Sequence, residues 1–484
     1  MRISPLSPTK PREVALLTPG HRTLTVETTW GTSTYRGTQR IRQVLEQLKP
    51  FVCYVGRGVE NMKLTTPASE WVMSTWRKSP ISITHSLSGT RVLSLRSTLD
   101  RSLDPFSDLV RTLSWAREYG VSPGSVSSMA WQLWRASLDR SYTIGADPSV
   151  TRPAFFGGRQ GIRRPAIFPD AESWDIKAAY PHAMRSGPFA LSLREVSTST
   201  HLDPERAGIA RASVHVPKGM PNPPLPVRIE DGVIMYQTGR LEGSWTWREL
   251  DAARRLGCDV EPLEVWAPAR EADLFSTWFD MSSTGRRLPG ESSRMAKAIA
   301  NSLWGQFAMT GDGRGEIHWT DDRGKNEIVT DLDPRAMPQD WTIHIASEVT
   351  SRVRTQTLLE ALSVRESSPL HIDTDGVIVE SGSRTPDNQG DDFGQWRRKE
   401  AMSVIDIKAP QVYRFRRPGE SIWHYVASGM PTDVAFMLWE KKELKQGWTS
   451  FLSRYDVCLP SGASDDAVQI GIYLADLERC RSVA

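Results

Sequence analysis

His371-Ile372-Asp373-Thr374-Asp375-Gly376 reads as a strand, a turn and a second strand, with Gly376 as the expected turn residue and Val377-Ile378-Val379 leading away. Residues two apart on an extended chain share a face, so this pattern aligns the carboxylates of Asp373 and Asp375. Far upstream, Asp175-Ile176-Lys177-Ala178-Ala179-Tyr180-Pro181 places a third carboxylate at the end of a strand near Glu172 to Ile176, before a turn through Tyr180-Pro181. Between them lies Lys297-Ala298-Ile299-Ala300-Asn301-Ser302-Leu303-Trp304-Gly305, inside a strongly helical stretch over 291–307. At helical spacing Arg294, Lys297, Asn301 and Trp304 share one face, while Ala298, Ile299 and Leu303 form the packing face. Arg286 and Arg287 precede this helix. Carboxylates from distant segments can hold hard divalent cations. Cations on a helix face suit phosphate.

The remaining composition sets bounds. A chain of 484 residues is long enough for two or three domains with separate cores. Charged residues at 24% and hydrophobic ones at 39% are those of an ordinary globular protein. The net charge is only +3, so any nucleic-acid contact must come from local basic patches. Cys53, Cys258, Cys458 and Cys480 are widely spaced and form no CxxC, which excludes a zinc ribbon and suits a reducing, cytoplasmic setting. No run of about 18 apolar residues occurs, so no membrane partner is expected. The Met1-Arg2-Ile3-Ser4-Pro5 start lacks the apolar run of a secretory signal. Most of the 18 tryptophans are expected in cores, with some available to stack on bases.

Along the chain, residues 1–22 read as a flexible basic arm, and Leu24 to Glu27 and Phe51 to Val55 as strands. Helices are expected from Pro105 to Tyr119 and from Ser125 to Ser137, the latter capped by Ser125. Residues 151–169 read as a linker rich in Arg, Phe, Gly and Pro. Arg159 and Arg163 would neutralise phosphates there, and Phe155 and Phe156 would stack on bases. The 190–270 stretch is β-rich, with one helix near Trp247 to Leu256. Gly311 to Gly315 suggests a hairpin turn, and Ile345 to Leu362 an amphipathic helix carrying Arg352 and Arg354.

In this order the three segments resemble the D-x-x-S-L-Y-P, K-x-x-x-N-S-x-Y-G and D-T-D signatures of family B DNA polymerases. Phe155 to Gly158 is similar to the family's Y-x-G-G element, and Lys408 to Tyr413 to its K-x-Y element. The match covers roughly residues 150–415. Its spacings look most like small members of the protein-primed or primer-independent branch. The resemblance implies an α+β, right-hand polymerase with a degenerate exonuclease-like N-terminal domain. The expected layout is an N-terminal domain over 1–150, the linker over 151–169 and palm with a β-rich insertion over 170–270. Fingers follow over 271–310, palm again over 311–414 and a short thumb over 415–484. The resemblance assigns catalysis to Asp175, Asp375 and Asp373, with Asp175 and Asp375 as ligands of two Mg²⁺ ions, for which Mn²⁺ would substitute. It assigns nucleotide binding to Tyr180, Arg294, Lys297 and Asn301. It assigns DNA binding to Phe155, Gly157, Gly158, Arg159, Lys408 and Tyr413. Tyr180 would exclude a ribose 2′-hydroxyl. The implied partners are primer–template DNA and dNTPs, with a terminal protein as a candidate primer. The implied setting is the host cytoplasm if a phage encodes the chain.

Departures from the pattern accompany it. Ala178-Ala179 replaces Ser-Leu, Trp304 replaces the tyrosine, Gly376 replaces a common serine, and Gln411 stands where the K-x-Y lysine would be. The family's exonuclease segment D-x-E-T is reduced to Thr25-Val26-Glu27-Thr28, without its first carboxylate, and Asp100, Asp104 and Asp108 offer no convincing partner. Polymerisation without 3′–5′ proofreading is therefore expected. The competing reading is a catalytically idle relative that only binds nucleic acid.

Overall fold

The structure is a computed structural model. It describes residues 2–6, 13–49, 51–55, 62, 64–67, 70–76, 79–88, 90–94, 102–163, 165–228, 234–308, 314–319, 326–329, 342–363, 369–382, 386–427 and 469–471. The chain divides into two compact units, Met1–Ile144 with Leu274–Thr342, and Gly145–Asp273 with Ile343–Ala484.

The first unit is built on a nine-stranded mixed sheet. Thr23–Thr28 buries alternate residues, Leu24 and Val26, as a strand covered on one face should. Helix Thr38–Gln47 lays Ile41, Val44 and Leu45 on the sheet beside Ala15, Leu17 and Val55. The expected flexible arm over residues 1–22 is corrected here. Val14–Gly20 pairs with Thr23–Thr28 on one side and with Val52–Val55 on the other, because its Ala15-Leu16-Leu17 run is apolar enough to enter the core. Arg2–Ile3 pairs with Tyr142–Thr143.

Helices Pro105–Glu118 and Val126–Ala136 form within a residue or two of their expected bounds. The Asp104 side chain accepts from the Ser107 amide and that of Ser125 from the Ser128 amide, each satisfying an orphan donor of the first turn. They pack with helices Ser276–Gly285 and Ser292–Gln306 around Trp134, Phe275, Trp278 and Phe307. A Cβ on Gly285 would lie 2.5 Å from the Trp115 ring, so only glycine allows that approach. The stretch expected to resume the palm at 311 instead begins with strands Arg314–Trp319 and Asn326–Val329. Arg314–Trp319 pairs with Trp71–Trp76 and thus joins the first unit's sheet. Most of the Gly311 to Gly315 turn lies outside the described residues.

The second unit holds an antiparallel seven-stranded sheet. Its order is Gln160–Ile162, His371–Asp373, Gly376–Glu380, Ala166–Ile176, Trp396–Ala409, Val412–Arg416 and His424–Ala427. Phe168, Ala171, Ile378, Met402, Ile405 and Phe415 are packed within its core. A four-stranded sheet (Phe189–Val196, Asp259–Ala272, Ile209–Val216, Gly239–Thr246) with helix Trp247–Arg255 makes a separate core around Trp245, Trp247 and Leu250. The expected linker over 151–169 is no linker. Ala154, Phe155, Phe156, Arg159 and Ile162 are buried, and Gln160–Ile162 pairs with His371–Asp373, so its backbone groups are satisfied in the sheet rather than by solvent. Helix Ile343–Ser363 spans the expected range but is not amphipathic. It is buried nearly all round, and its arginines are paired inside the protein, Arg352 with Glu348 and Arg354 with Glu249. The expected thumb boundary at 415 falls inside a strand of the large sheet; residues 428–468 and 472–484 lie outside the described residues.

Candidate active site

Strands Ala166–Ile176 and Gly376–Glu380 run antiparallel, with Asp175 opposite Gly376. The Ile176 amide donates to the Asp375 carbonyl at 2.8 Å, closing the pair at its end. The turn between His371–Asp373 and Gly376–Glu380 is Thr374-Asp375, not Gly376. Thr374 takes the left-handed conformation (φ 59°) and Gly376 begins the next strand. Asp373 therefore ends a strand while Asp375 sits on the turn, so strand alternation alone does not align them. Gly376 is nonetheless needed: a Cβ there would lie 3.1 Å from the Trp174 carbonyl and 3.7 Å from Asp175 Oδ1.

Asp375 feels the charge of the other two carboxylates. Burial, then the charges of Asp175 and Asp373, push the Asp375 carboxyl up to about 7, against an opposing pull from its own backbone amide and Lys399. Lys399 Nζ stands 3.7 Å from Asp175 Oδ2, on strand Trp396–Ala409. A cluster so short of positive charge suits a divalent cation. Among the described residues no group of three or more His, Cys, Asp or Glu side chains could hold a metal unaided. Mg²⁺ accepts one or two carboxylates completed by phosphate oxygens and water.

Asp373 has fixed neighbours. Gln411 Nε2 donates to its Oδ1, and the Gln411 amide donates to His371 Nε2 at 2.9 Å. Gln411 is itself left-handed (φ 58°). The Tyr413 ring packs on His371 with centroids 5.4 Å apart, and burial raises its phenol. Lys408 Nζ lies 3.2 Å from buried Asp406 Oδ1 and is half exposed. Tyr180 belongs to helix Ala179–Arg185 rather than to a simple turn. Ala178 is left-handed before it, and Pro181 occupies the first helical turn, where its missing N–H costs nothing. Burial and the negative charge of Asp375 both raise the Tyr180 phenol, so the ring lies within electrostatic reach of that carboxylate.

The expected basic face exists on helix Ser292–Gln306 of the first unit. Arg294, Lys297 and Asn301 are exposed and Trp304 is half-buried, while Met295, Ala296, Ile299, Ala300 and Leu303 are buried. Ala298, expected on the packing face, is only half-buried; Met295 and Ala296 do that work. Arg286 Nη2 donates to Asn301 Oδ1 at 2.9 Å, and burial lowers Arg286 to about 10. Arg294 pairs with Glu291 at 2.6 Å.

Burial corrects the role expected of Arg159 and its neighbours. The Arg159 guanidinium is enclosed, lies 4.1 Å above the Tyr236 ring, donates to the Pro223 carbonyl at 2.8 Å, and is lowered by burial to about 10. It cannot reach a phosphate from there, nor can buried Phe155 and Phe156 offer a free stacking face. Arg163 is half exposed and pairs with Glu380 at 3.1 Å; Arg164 lies outside the described residues. Gly157 and Gly158 pass directly against the hairpin, since a Cβ on Gly158 would meet Thr374 at 2.7 Å. In the first unit, Thr25 Oγ1 shares a hydrogen bond of 2.9 Å with Thr34 Oγ1. Glu27 is raised by burial and by the charge of Asp104, so Asp104 is a nearer neighbour than the sequence suggests.

Comparison with known proteins gives this arrangement a lineage. The profile of DNA polymerase type B, organellar and viral, matches residues 124–375. The chain is 24% identical over 317 residues to the DNA-directed DNA polymerase of Enterobacteria phage PRD1, a match covering 59% of this chain and 54% of that protein. It thus spans about half the length of that curated relative. Phi29 DNA polymerase in its orthorhombic crystal form superposes with a TM-score of 0.66 at 11% identity, covering 90% of this chain and 94% of that one. The phi29 complex with primer-template DNA and incoming nucleotide substrates gives 0.67 at 12% identity over the same shares. The fold is that of a mixed α/β, right-hand polymerase, as expected. The chain belongs to the organellar and viral type B DNA polymerases.

Proposed function

We propose that the chain is a DNA-directed DNA polymerase that adds dNTPs to a primer 3′-hydroxyl by two-metal phosphoryl transfer. One observation carries the reading: Asp175 and the Asp373–Asp375 hairpin lie on adjacent antiparallel strands, and burial, then the charges of Asp175 and Asp373, push Asp375 up to about 7. Family membership supports it, as does the fold shared with a polymerase solved with primer-template DNA and nucleotides.

Asp175 and Asp375 would hold the cations. Bound there, Mg²⁺ ions, or Mn²⁺ in their place, would supply an activated 3′-hydroxyl and a neutralised leaving pyrophosphate. The chain's own groups position the reactants. Gln411 keeps Asp373 oriented, and Lys399 offsets the charge of Asp175. Lys297, Arg294 and Asn301 present a face suited to a triphosphate, with Arg294 leaving Glu291 to do so. Tyr180, close to Asp375, offers a rigid ring against the sugar, where a 2′-hydroxyl would clash. Lys408 and Tyr413 would steady the primer end.

Absence of proofreading belongs to the same proposal. It is supported by Thr25, which stands where the exonuclease segment would have its first carboxylate and whose hydroxyl is engaged by Thr34. A terminal protein or a self-made start is the priming mode that this proposal includes. Incubation with dNTPs and Mg²⁺ or Mn²⁺ on single-stranded DNA, with and without an annealed primer, tests activity and priming together. No incorporation under any of these conditions would leave the chain an idle nucleic-acid-binding relative.

A further inference from the structure

Helix Ile343–Ser363 carries a buried charge that the proposed chemistry does not use. Arg354 and Glu249 are 4% and 2% exposed, and Arg354 Nη2 and Nε donate to Glu249 Oε1 at 2.6 and 3.1 Å. Glu249 Oε2 accepts from both the amide and the hydroxyl of Thr246, which locks the carboxylate as part of a capping box. The remaining arm of the guanidinium, Nη1, donates to the carbonyls of Phe156 and Gly157, each at 2.6 Å. That fork fixes the next residues against the hairpin. Gly158 has no room for a Cβ against Thr374, and the Arg159 carbonyl accepts from the Thr374 amide at 2.6 Å. Three residues beyond Arg354, on the same side of the helix, Thr357 Oγ1 donates to the Thr374 carbonyl at 3.2 Å. Thr374 is held at both its amide and its carbonyl, in a left-handed conformation that a β-branched residue adopts only when its surroundings impose it.

We propose that Arg354, braced by Glu249 and acting with Thr357, is a positioning residue for the cation-binding hairpin: it fixes the Thr374 turn and so sets where the Asp375 carboxylate points. This rests on the reading of Asp175 and Asp375 as cation ligands. A guanidinium is required because one planar group must serve Glu249 and two carbonyls at once, which an ammonium cannot span. Arg352 of the same helix provides a comparison. It is equally buried, pairs with Glu348 at 2.8 Å, and donates to the Ala183 and Pro188 carbonyls, which lie around the end of the Tyr180 helix rather than at the hairpin.

The test is Mn²⁺ binding to the metal-stripped full chain, read by the electron paramagnetic signal of free Mn²⁺ and by the cation-dependent rise in Tm. Groups that orient metal ligands typically change affinity about 10–100-fold. Arg354→Lys and Thr357→Val are expected to raise the Mn²⁺ Kd about tenfold, and Arg352→Lys to leave it within about twofold. Thr357→Val removes a single hydrogen bond at constant shape, so it carries the test if Arg354→Lys does not fold. Wild-type affinity in both hairpin variants overturns the inference, as does an equal loss in Arg352→Lys, which would mark a general effect of destabilisation. Absence of Mn²⁺ binding by the wild type overturns the cation-site reading itself.

Discussion

Asp375→Asn should stabilise the metal-free protein at pH 8, although it removes a proposed metal ligand. The side chain keeps its shape and loses its charge. In the folded chain the Asp375 carboxyl is raised from 3.8 to about 7, chiefly by burial and then by Asp175 and Asp373. A carboxyl with a raised folded value contributes stability that is fully present below about pH 4, its unfolded value, and lost as pH rises through about 7. The displacement corresponds to roughly 4 kcal/mol at about 1.4 kcal/mol per pH unit. Solvent reaches this half-buried carboxyl, so the measured gain should fall between about 1 and 4 kcal/mol. The assay is urea unfolding in EDTA from pH 5 to 8, with wild type and variant side by side. The difference should be small at pH 5 and grow towards pH 8. Saturating Mn²⁺ should reverse the ranking, since only the wild type gains from the cation. A difference that is flat across pH, or a variant less stable at pH 8 without metal, would refute the electrostatic account of the cluster.

Other outcomes follow from the same geometry. In primer extension, Asp375→Ala or Asp175→Ala should lower the rate by about a thousandfold or more, because metal-borne stabilisation is worth several kcal/mol; near-normal extension would move the metal site elsewhere. Tyr180→Ala should admit rNTPs that the wild type rejects, which single-nucleotide incorporation with matched dNTP and rNTP checks. Lys297→Ala should raise the KM for dNTPs with the fold intact, because Lys297 is exposed. Arg159→Met should cost stability and leave the salt dependence of DNA binding unchanged, since the guanidinium is enclosed; a flatter slope would place Arg159 at the DNA after all.

The segments that the fold brings together were legible where chemistry restricts the residue type. Carboxylates and a basic helix face are hard to replace; Asp175 and Asp373 lie near the ends of strands of one sheet, and Asp375 sits on the turn between Asp373's strand and the one that pairs with Asp175's. Helix ends set by local capping, such as Ser125, were also readable, because the cap acts within one turn. What escaped depends on tertiary surroundings. Phe155 to Arg159 has the composition of a solvated tether, and distant partners, among them the buried Glu249–Arg354 pair and the Tyr236 ring, make it core. The helix carrying Arg354 looked amphipathic because its polar residues were assigned to solvent, whereas they are bonded inside the protein. The Thr374-Asp375 turn was misplaced onto Gly376 because glycine is the usual owner of a positive φ, and here threonine is forced into it. Lys399 gave no local signal; its part follows from the strand pairing that brings it to Asp175.

The most direct measurement is anomalous diffraction from crystals grown with Mn²⁺, primer–template DNA and a non-reactive dNTP analogue. Manganese peaks bridging the carboxylates of Asp175 and Asp375 are the expected result. Well-ordered ions bound elsewhere, with those two side chains making no contact to metal, would contradict the account.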